Sequence, residues 1–221
     1  MAGRTRGGTQ RIPRPARWRH GDAAPWATRA AQPVTLIEVR ERLLFLPPPR
    51  AAQHGSSTTR AAAVLVAMFE ADGEARVILT KRPDTMPSHR GEIAFPGGKH
   101  DPRLDADLRA TALREAEEEI ALMPASVEVI AQLDGLGTVA SQFAITPFIG
   151  FLDGRPQLTP HPREVASVFD VGISELLDPA TFHEERWGAL SLHFYELASE
   201  TIWGATARIL TNLLTHITNA A

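Results

Sequence analysis

Three glutamates with helical spacing are the residues of this sequence best suited to metal chemistry. Glu115, Glu118 and Glu119 lie at positions i, i+3 and i+4 of a segment that has no internal proline or glycine. On a helix these carboxylates share one face, with neighbouring Cβ atoms roughly 5–6 Å apart. Crowded carboxylates repel one another unless they are protonated, solvated or bound to cations. The pattern fits hard divalent cations such as Mg²⁺, and a solvated acidic surface is the alternative.

Two neighbouring features favour a site over a solvated surface. Leu108, Ala112 and Ala116 give the opposite side of the helix a small apolar face, so the helix is expected to pack against other elements. Just upstream, residues 95–99 read Phe-Pro-Gly-Gly-Lys. Two consecutive glycines between a short strand and an acidic helix allow unusual backbone angles and a close approach of the backbone to a ligand.

Together these residues resemble the box of the Nudix hydrolase family, G-x5-E-x7-R-E-U-x-E-E-x-G-U, in which U is a bulky aliphatic residue. The end of the box is matched by Arg114, Glu115, Glu118, Glu119 and Leu122. This resemblance implies an α/β sandwich with a mixed β-sheet and flanking helices, and hydrolysis of a diphosphate linkage in a nucleotide-derived substrate.

The sequence departs from the box at three positions. Ala116 is small where the first aliphatic residue stands, and Ala106 occupies the place of the first glutamate. Ala121 replaces the glycine that would end the helix in a left-handed conformation, which costs roughly 1 kcal/mol or forces another ending. The acid that takes over from the missing glutamate is left open among three nearby residues, Asp101, Asp105 and Asp107.

A second resemblance lies immediately before the box. Residues 79–98 are similar to the signature of coenzyme A diphosphatases, L-L-T-x-R-[SA]-x3-R-x3-G-x3-F-P-G-G. Arg82 and Gly91 fit it, as do residues 79–80 and 95–98, whereas Pro83 and Pro87 depart from it. Later segments around Glu164-Val165, Phe169-Asp170 and residues 202–207 also look like this subgroup, so the resemblance covers roughly residues 60–215.

The resemblance implies a role for each candidate residue. Mg²⁺ or Mn²⁺ would be held by Glu115 and Glu119 first, then by Glu118 and the carbonyl of Gly98. The expected catalytic set is Glu118, Glu119, Glu164 as the base that deprotonates water, and Arg114 as the partner of a neighbouring carboxylate. Arg82, Arg90 and His89 are candidates for binding substrate phosphates, because guanidinium groups match phosphate geometry.

Three functions remain open at this point. The first is a coenzyme A diphosphatase that releases 3′,5′-ADP and 4′-phosphopantetheine or its acyl derivative. The second is a Nudix pyrophosphatase acting on ADP-ribose, NADH or a nucleoside triphosphate, which the departure at Pro87 keeps open. The third is a catalytically inactive Nudix domain used as a binding module. Loss of a box glutamate would favour the third, and Glu115, Glu118 and Glu119 are all present.

Composition restricts the classes of protein and partner. The chain has 221 residues, of which 43% are hydrophobic and 22% charged, as in a single globular domain with appendages. Without cysteine there are no disulfides or cysteine-based zinc sites, which is compatible with the cytoplasm. A net charge of −3 gives no reason to expect nucleic-acid binding. The lack of a run of about 18 apolar residues argues against a membrane span. The expected partner is a small nucleotide-derived molecule, and a homodimer is left open.

The charge pattern suggests a basic tail followed by an acidic body. Residues 1–32 contain seven arginines and one aspartate, a charge of +6 in a chain of net charge −3. Because that segment lacks apolar periodicity, we expect residues 1–33 to be a mostly disordered tail, with an organelle-targeting segment or an anion-binding arm as alternatives. Residues 34–59 are expected to form a helix and a linker, and residues 60–221 the Nudix hydrolase domain.

The expected elements alternate irregularly, which favours a mixed sheet over regular βαβ units. A hairpin turn is expected at residues 71–74. The predicted strands are 61–69, 75–80, 93–95, 126–134, 143–151, 164–170 and 190–197. The predicted helices are 34–45, 105–121, 173–177 and 205–217.

Overall fold

The centre of the fold is a mixed β-sheet built around one long apolar strand. A computed structural model describes residues 7–10, 12–28, 32–52, 59–86, 88–138 and 142–219. In these ranges β2 (Arg60–Ala71) pairs antiparallel with β3 (Glu74–Lys81) and parallel with β8 (Phe143–Phe151). Asp72 and Gly73 take positive φ in the turn between β2 and β3, as the expected hairpin requires. The predicted mixed sheet is confirmed.

Five shorter strands complete this main sheet. Along its path the order is β4-β3-β2-β8-β6, with β5 paired to β2, β7 to β8 and β9 to β3. The bounds are β4 (Ile93–Ala94), β5 (Gly97–Lys99), β6 (Glu128–Gln132), β7 (Leu136–Gly137) and β9 (Ser167–Gly172).

The main sheet is covered on both faces, which explains why β2 is apolar throughout. Val66 and Met68 belong to one buried cluster, and Leu65 and Phe69 to another, because successive side chains of a strand point to opposite faces. The helix α2 (Leu108–Ile120) packs on the second face. The first face is covered by α1 (Leu36–Leu43), α3 (Ile173–Leu177) and α4 (Gly204–Asn219). The α/β sandwich is therefore confirmed.

A second sheet lies beside this core, and only part of it was predicted. Its strand order is β1-β10-β11-β12. The predicted strand at 190–197 is found as β11 (Leu190–Glu196), whereas three other strands had not been predicted, namely β1 (Arg19–His20), β10 (Phe182–Trp187) and β12 (Thr201–Trp203). Charged residues interrupt the alternation in β10, and β1 and β12 are too short to give a periodic signal.

The N-terminal segment corrects our expectation of a disordered tail. Residues 7–10 and 12–28 lie along the second sheet, and β1 within them pairs antiparallel with β10. Trp26 is only 1% exposed, and its indole N–H donates to the carbonyl of Leu177. Arg14 forms an ion pair with the buried Glu185. Two anchor residues, Trp26 and Arg14, hold this segment in place without an apolar periodicity. Residues 1–6, 11 and 29–31 lie outside the described ranges.

The remaining predicted elements agree closely with the structure. The helix α1 begins after a capping box formed by Thr35 and Glu38 and spans Leu36–Leu43. Of the expected linker, residues 53–58 lie outside the described ranges, and Ala52 is buried. No helix in the described part of the chain has the length and apolar character needed to cross a bilayer.

Candidate active site

The glycine pair and the acidic helix meet because of small residues on both sides. On α2, Ala112 and Ala116 are completely buried against the main sheet, which lets the helix approach β2 and β5. A Cβ atom on Gly98 would overlap the carboxylate of Glu115, and one on Gly97 would overlap the backbone of β2 at Ala63. Gly97 is thus required by close packing against backbone, whereas a side chain at Gly98 would meet only the flexible carboxylate of Glu115, and the pair brings the backbone of β5 against the glutamates.

Glu119 is the most buried of the predicted ligands. Its residue is 6% exposed, and its Oε2 accepts a hydrogen bond from the backbone N–H of Gly97 at 3.2 Å. Burial raises the pKa of Glu119 to about 8, and the charges of Glu115 and Glu164 act in the same direction. The positive charge of Arg82 opposes this rise. A carboxyl group that resists ionisation here would be stabilised as an anion by a bound cation.

Glu115 lies next to Glu119 and shares its environment. Burial raises the pKa of Glu115, and the charges of Glu118 and Glu164 add to the effect, whereas Arg114 opposes it. Glu118, in contrast, is exposed, with 58% of its side chain accessible. The structure therefore brings Glu115 and Glu119 together at the glycine pair and places Glu118 at the rim.

Arg114 holds the acidic cluster together. Its Nη1 lies 3.0 Å from Oε1 of Glu115 and 3.0 Å from Oε2 of Glu118. On its other side, its Nε donates to Oδ1 of Asp105 at 2.7 Å and its Nη2 to Oδ2 at 3.0 Å. Hydrogen bonding to the Asp105 carboxylate raises the pKa of Arg114, so this guanidinium is permanently charged.

Asp105 is the acidic partner of Arg114 and lies one residue before Ala106, where the box has glutamate. Its carboxylate is buried, and besides Arg114 it accepts hydrogen bonds from the Thr111 hydroxyl and the backbone N–H of Asp101. The other two candidates have different roles: Asp101 pairs with Arg103, and Asp107 caps the N-terminus of α2. The question that the sequence left open among three aspartates is answered by burial and geometry.

The loop that follows β3 carries the predicted substrate-binding residues, and we call residues 82–86 and 88–92 the Arg82 loop. Arg82 is close enough to Glu119 to affect its pKa, and within the described residues its buried Nε has no hydrogen-bond partner. Arg90 and His89 are exposed and have partners inside the loop: Arg90 Nε donates to the carbonyl of Met86, and His89 Nδ1 lies 2.8 Å from Glu92. Pro87 lies outside the described residues.

Glu164 reaches the site from the segment before β9. Its charge affects both Glu115 and Glu119, although its side chain is 51% exposed. The backbone of this segment is fixed to α2, since the N–H of His161 donates to the carbonyl of Glu119 at 2.8 Å. His161 Nδ1 also lies 3.8 Å from Oε1 of Glu164. Nothing in the sequence had indicated His161, because a histidine between two prolines in a loop has no characteristic pattern.

This arrangement of glycine pair, acidic helix and arginine agrees with comparisons of the whole chain. The family model of the NUDIX domain matches residues 59–192. The chain belongs to the Nudix family. It is 37% identical over 178 residues to an uncharacterized Nudix hydrolase NudL of Photorhabdus laumondii subsp. laumondii, a match that covers 79% of this chain and 92% of the relative.

Further Nudix relatives agree with this assignment. An uncharacterized Nudix hydrolase NudL of Yersinia pestis (strain Pestoides F) is 36% identical over 168 residues, which is 73% of this chain and 82% of the relative. The crystal structure of a MutT/nudix family protein from Enterococcus faecalis superposes with a TM-score of 0.53 at 13% identity, over 84% of this chain and 70% of the other, and shows the common fold. The Nudix chain is thus a hydrolase acting on the pyrophosphate bond of a nucleotide-derived molecule.

Nudix hydrolases generally use divalent metal ions, and the residues of this site fit such an ion. Glu115 and Glu119 are oxygen donors whose charge is unfavourable without a cation, and the Glu115 carboxylate lies directly against the backbone of Gly98. The described residues contain no group of three or more acidic, histidine or cysteine side chains already arranged around one point. Mg²⁺ needs no such group, because it is usually bound by one or two carboxylates together with waters and substrate phosphates.

Proposed function

We propose that this Nudix hydrolase cleaves the diphosphate bond of coenzyme A or an acyl-coenzyme A. The products are 3′,5′-ADP and 4′-phosphopantetheine or its acyl derivative. The observation that carries the proposal is the position of Arg82, the signature arginine of the coenzyme A diphosphatase pattern. It is close enough to Glu119 for its charge to act on the pKa of that carboxyl group, and its buried Nε has no partner in the described part of the chain. An anionic phosphate oxygen would satisfy that donor and pair with its charge.

The acidic cluster would hold Mg²⁺ or Mn²⁺ through Glu115 and Glu119, with Glu118 and the Gly98 carbonyl as further oxygen donors. Bound cations neutralise the charge of the diphosphate and make a water molecule more acidic. Glu164 is the proposed base that takes the proton of the attacking water, because it is exposed and its charge reaches both buried glutamates. Arg114 orients Glu115 and Glu118 from its own support on Asp105.

The Arg82 loop would bind the remainder of the substrate. Arg90 and His89 are exposed on it, and each is held by a partner within the loop. Their side chains would contact phosphates that lie outside the buried site, including the 3′-phosphate that coenzyme A has and that ADP-ribose and NADH lack. A site that pairs with an additional dianion discriminates strongly against ligands without it.

The test is a substrate panel with Mg²⁺ or Mn²⁺. We expect kcat/KM for coenzyme A and short acyl derivatives to be at least about tenfold higher than for 3′-dephospho-coenzyme A or ADP-ribose. Arg82→Ala should reduce kcat/KM for coenzyme A, and Arg103→Ala, an exposed arginine paired with Asp101 away from the Arg82 loop, is the matched control. Rapid cleavage of ADP-ribose or NADH beside intact coenzyme A would contradict the substrate and leave the Nudix assignment unchanged.

A further inference from the structure

The N-terminal segment is connected to the Arg82 loop through one half-buried carboxylate. We call residues 7–10 and 12–20 the N-terminal strap. Gln10 Nε2 donates to Oε2 of Glu200 at 3.1 Å, while Lys81 Nζ donates to Oε1 of the same carboxylate at 2.7 Å. Glu200 precedes β12 in the second sheet, and Lys81 is the last residue of β3 in the main sheet. The chain Gln10–Glu200–Lys81 therefore crosses from one sheet to the other.

The strap holds Gln10 firmly at one end of this chain. The Gln10 side chain makes a two-way contact with the backbone of Thr201, donating to its carbonyl at 3.1 Å and accepting from its N–H at 3.2 Å. The N–H of Gly7 donates to the carbonyl of Leu197, and that of Gly8 to the Thr201 hydroxyl. Gln10 is thus anchored through its side chain to β12, the edge strand of the second sheet.

Lys81, at the other end of this chain, contacts two parts of the candidate active site, the Arg82 loop and the segment that carries Glu164. Arg82 follows it directly, and the N–H of Arg82 donates to the carbonyl of Glu92 across the base of the Arg82 loop. The carbonyl of Lys81 accepts from the N–H of Ala166, two residues after Glu164. Its side chain and that of Glu200 are 26% and 17% exposed, so their ion pair is more protected from solvent than a surface pair.

Gln10 also lies against the far end of the Arg82 loop. A Cβ atom built on Gly91 would be 3.8 Å from Cγ of Gln10. The strap therefore meets the loop at both of its ends, through Lys81 at the start and beside Gly91 at the end.

We propose that Gln10 is a positioning residue that sets substrate affinity by fixing the Arg82 loop through Glu200 and Lys81. This inference rests on the proposed role of that loop in binding substrate, and it is independent of which diphosphate is bound. Its contribution falls on substrate binding because Lys81 is followed directly by Arg82, and no described contact links Gln10 to Glu115, Glu119 or the side chain of Glu164.

The test compares Gln10→Ala, Gln10→Glu and a matched control in the same N-terminal segment, Asp22→Asn, in the full chain with Mg²⁺. Asp22 lies two residues beyond the N-terminal strap and pairs with Arg186, outside the Gln10–Glu200–Lys81 chain. The substrate is whichever diphosphate the wild-type protein cleaves fastest, so an error in the coenzyme A proposal is detected before any variant is compared. We expect KM to rise about threefold or more in Gln10→Ala and further in Gln10→Glu, where a second carboxylate repels Glu200.

In both Gln10 variants kcat should stay within about twofold of wild type, and Asp22→Asn should change neither constant. Amide hydrogen exchange without substrate gives an independent measure: the N–H groups of Arg82 and Ala166 should exchange faster in Gln10→Glu than in wild type or Asp22→Asn. The inference is overturned if KM is unchanged in Gln10→Glu, if Asp22→Asn raises KM equally, or if those two amides keep wild-type exchange rates.

Discussion

Arg114 is fixed by Asp105, a buried aspartate one residue before the position at which the Nudix box has glutamate. The Nε–Oδ1 distance is 2.7 Å and the Nη2–Oδ2 distance is 3.0 Å, so the pair is bidentate. The same guanidinium contacts Glu115 and Glu118. Asp105, rather than a residue at 106, is thus the acidic side chain that supports Arg114 from outside the helix.

The first prediction concerns this ion pair. Asp105→Asn removes the charge that faces Arg114, and we expect a loss of about 3–5 kcal/mol in the free energy of unfolding, as for other broken buried pairs. Urea unfolding at pH 7 measures it. Ala106→Glu is the control, because residue 106 is exposed and Arg114 already has its partner, so its stability should match wild type. Equal stability of Asp105→Asn and wild type would contradict the role of Asp105.

The difference in the free energy of unfolding between wild type and Asp105→Asn should also depend on pH. Hydrogen bonding to Arg114 lowers the pKa of Asp105 in the folded protein below its usual value. The stabilisation is therefore complete above the unfolded pKa of about 3.9 and is lost as the pH falls towards the folded pKa. The difference in the free energy of unfolding between wild type and Asp105→Asn should become smaller as the pH is lowered. A difference that does not change with pH would mean that the Asp105 carboxylate is not the source of the stabilisation.

The end of α2 gives a prediction about backbone strain. Ala121 has φ 56° and ψ 31°, the left-handed conformation in which the Nudix box has glycine. Ala121→Gly should stabilise the fold by roughly 0.5–1 kcal/mol, or about 1–4 °C in Tm. Ala125→Gly is the control, since Ala125 has no positive φ and glycine there should be neutral or destabilising. Thermal unfolding of wild type and both variants gives the Tm values. A Tm for Ala121→Gly below that of wild type would contradict backbone strain at Ala121.

The order of the N-terminal segment depends on Trp26. This side chain is buried against Phe182 and Tyr195, with ring centroids 5.4 and 6.5 Å away. Trp26→Ala should lower the free energy of unfolding by about 3–5 kcal/mol, because a large cavity remains. Trp18→Ala, at a residue that is 40% exposed, should cost much less. Equal, small effects in chemical denaturation would show that the segment contributes little to the fold.

Catalysis is expected to depend on Glu119 and not on its neighbour Glu117. Glu119→Gln removes the buried charge but keeps size and helix propensity, and we expect kcat to fall by about two orders of magnitude or more. Glu117→Gln changes an exposed residue of the same helix and should retain wild-type kcat. Both variants should have wild-type circular dichroism. Near-full activity in Glu119→Gln would rule out its role as a ligand.

The fold was largely predictable where periodicity is strong. The apolar run of β2, the hairpin at Asp72-Gly73 and the helix that carries Glu115 and Glu119 were expected and are found. Short edge strands such as β1 and β12 were not, because two or three residues carry no period. The order of residues 12–28 was missed for a related reason: one buried tryptophan and one buried ion pair hold the segment, and neither produces a pattern in sequence.

The candidate site was predictable in its residue types and less so in its supports. The positions of Glu115, Glu119 and Gly98 followed from the box, and the structure places them together. The choice of Asp105 over Asp101 and Asp107 required knowledge of burial. The link from Gln10 to Lys81 joins residues that are distant in the chain, and only the packing of the two sheets brings them together.

The identity of the products decides whether the protein cleaves coenzyme A. Coenzyme A is incubated with the protein and Mg²⁺ or Mn²⁺ in ¹⁸O-labelled water, and the products are analysed by mass spectrometry. We expect 3′,5′-ADP and 4′-phosphopantetheine in equal amounts, one of them carrying a single ¹⁸O, and no products with Glu119→Gln. Intact coenzyme A after incubation with a protein that cleaves ADP-ribose under the same conditions would contradict the proposed substrate.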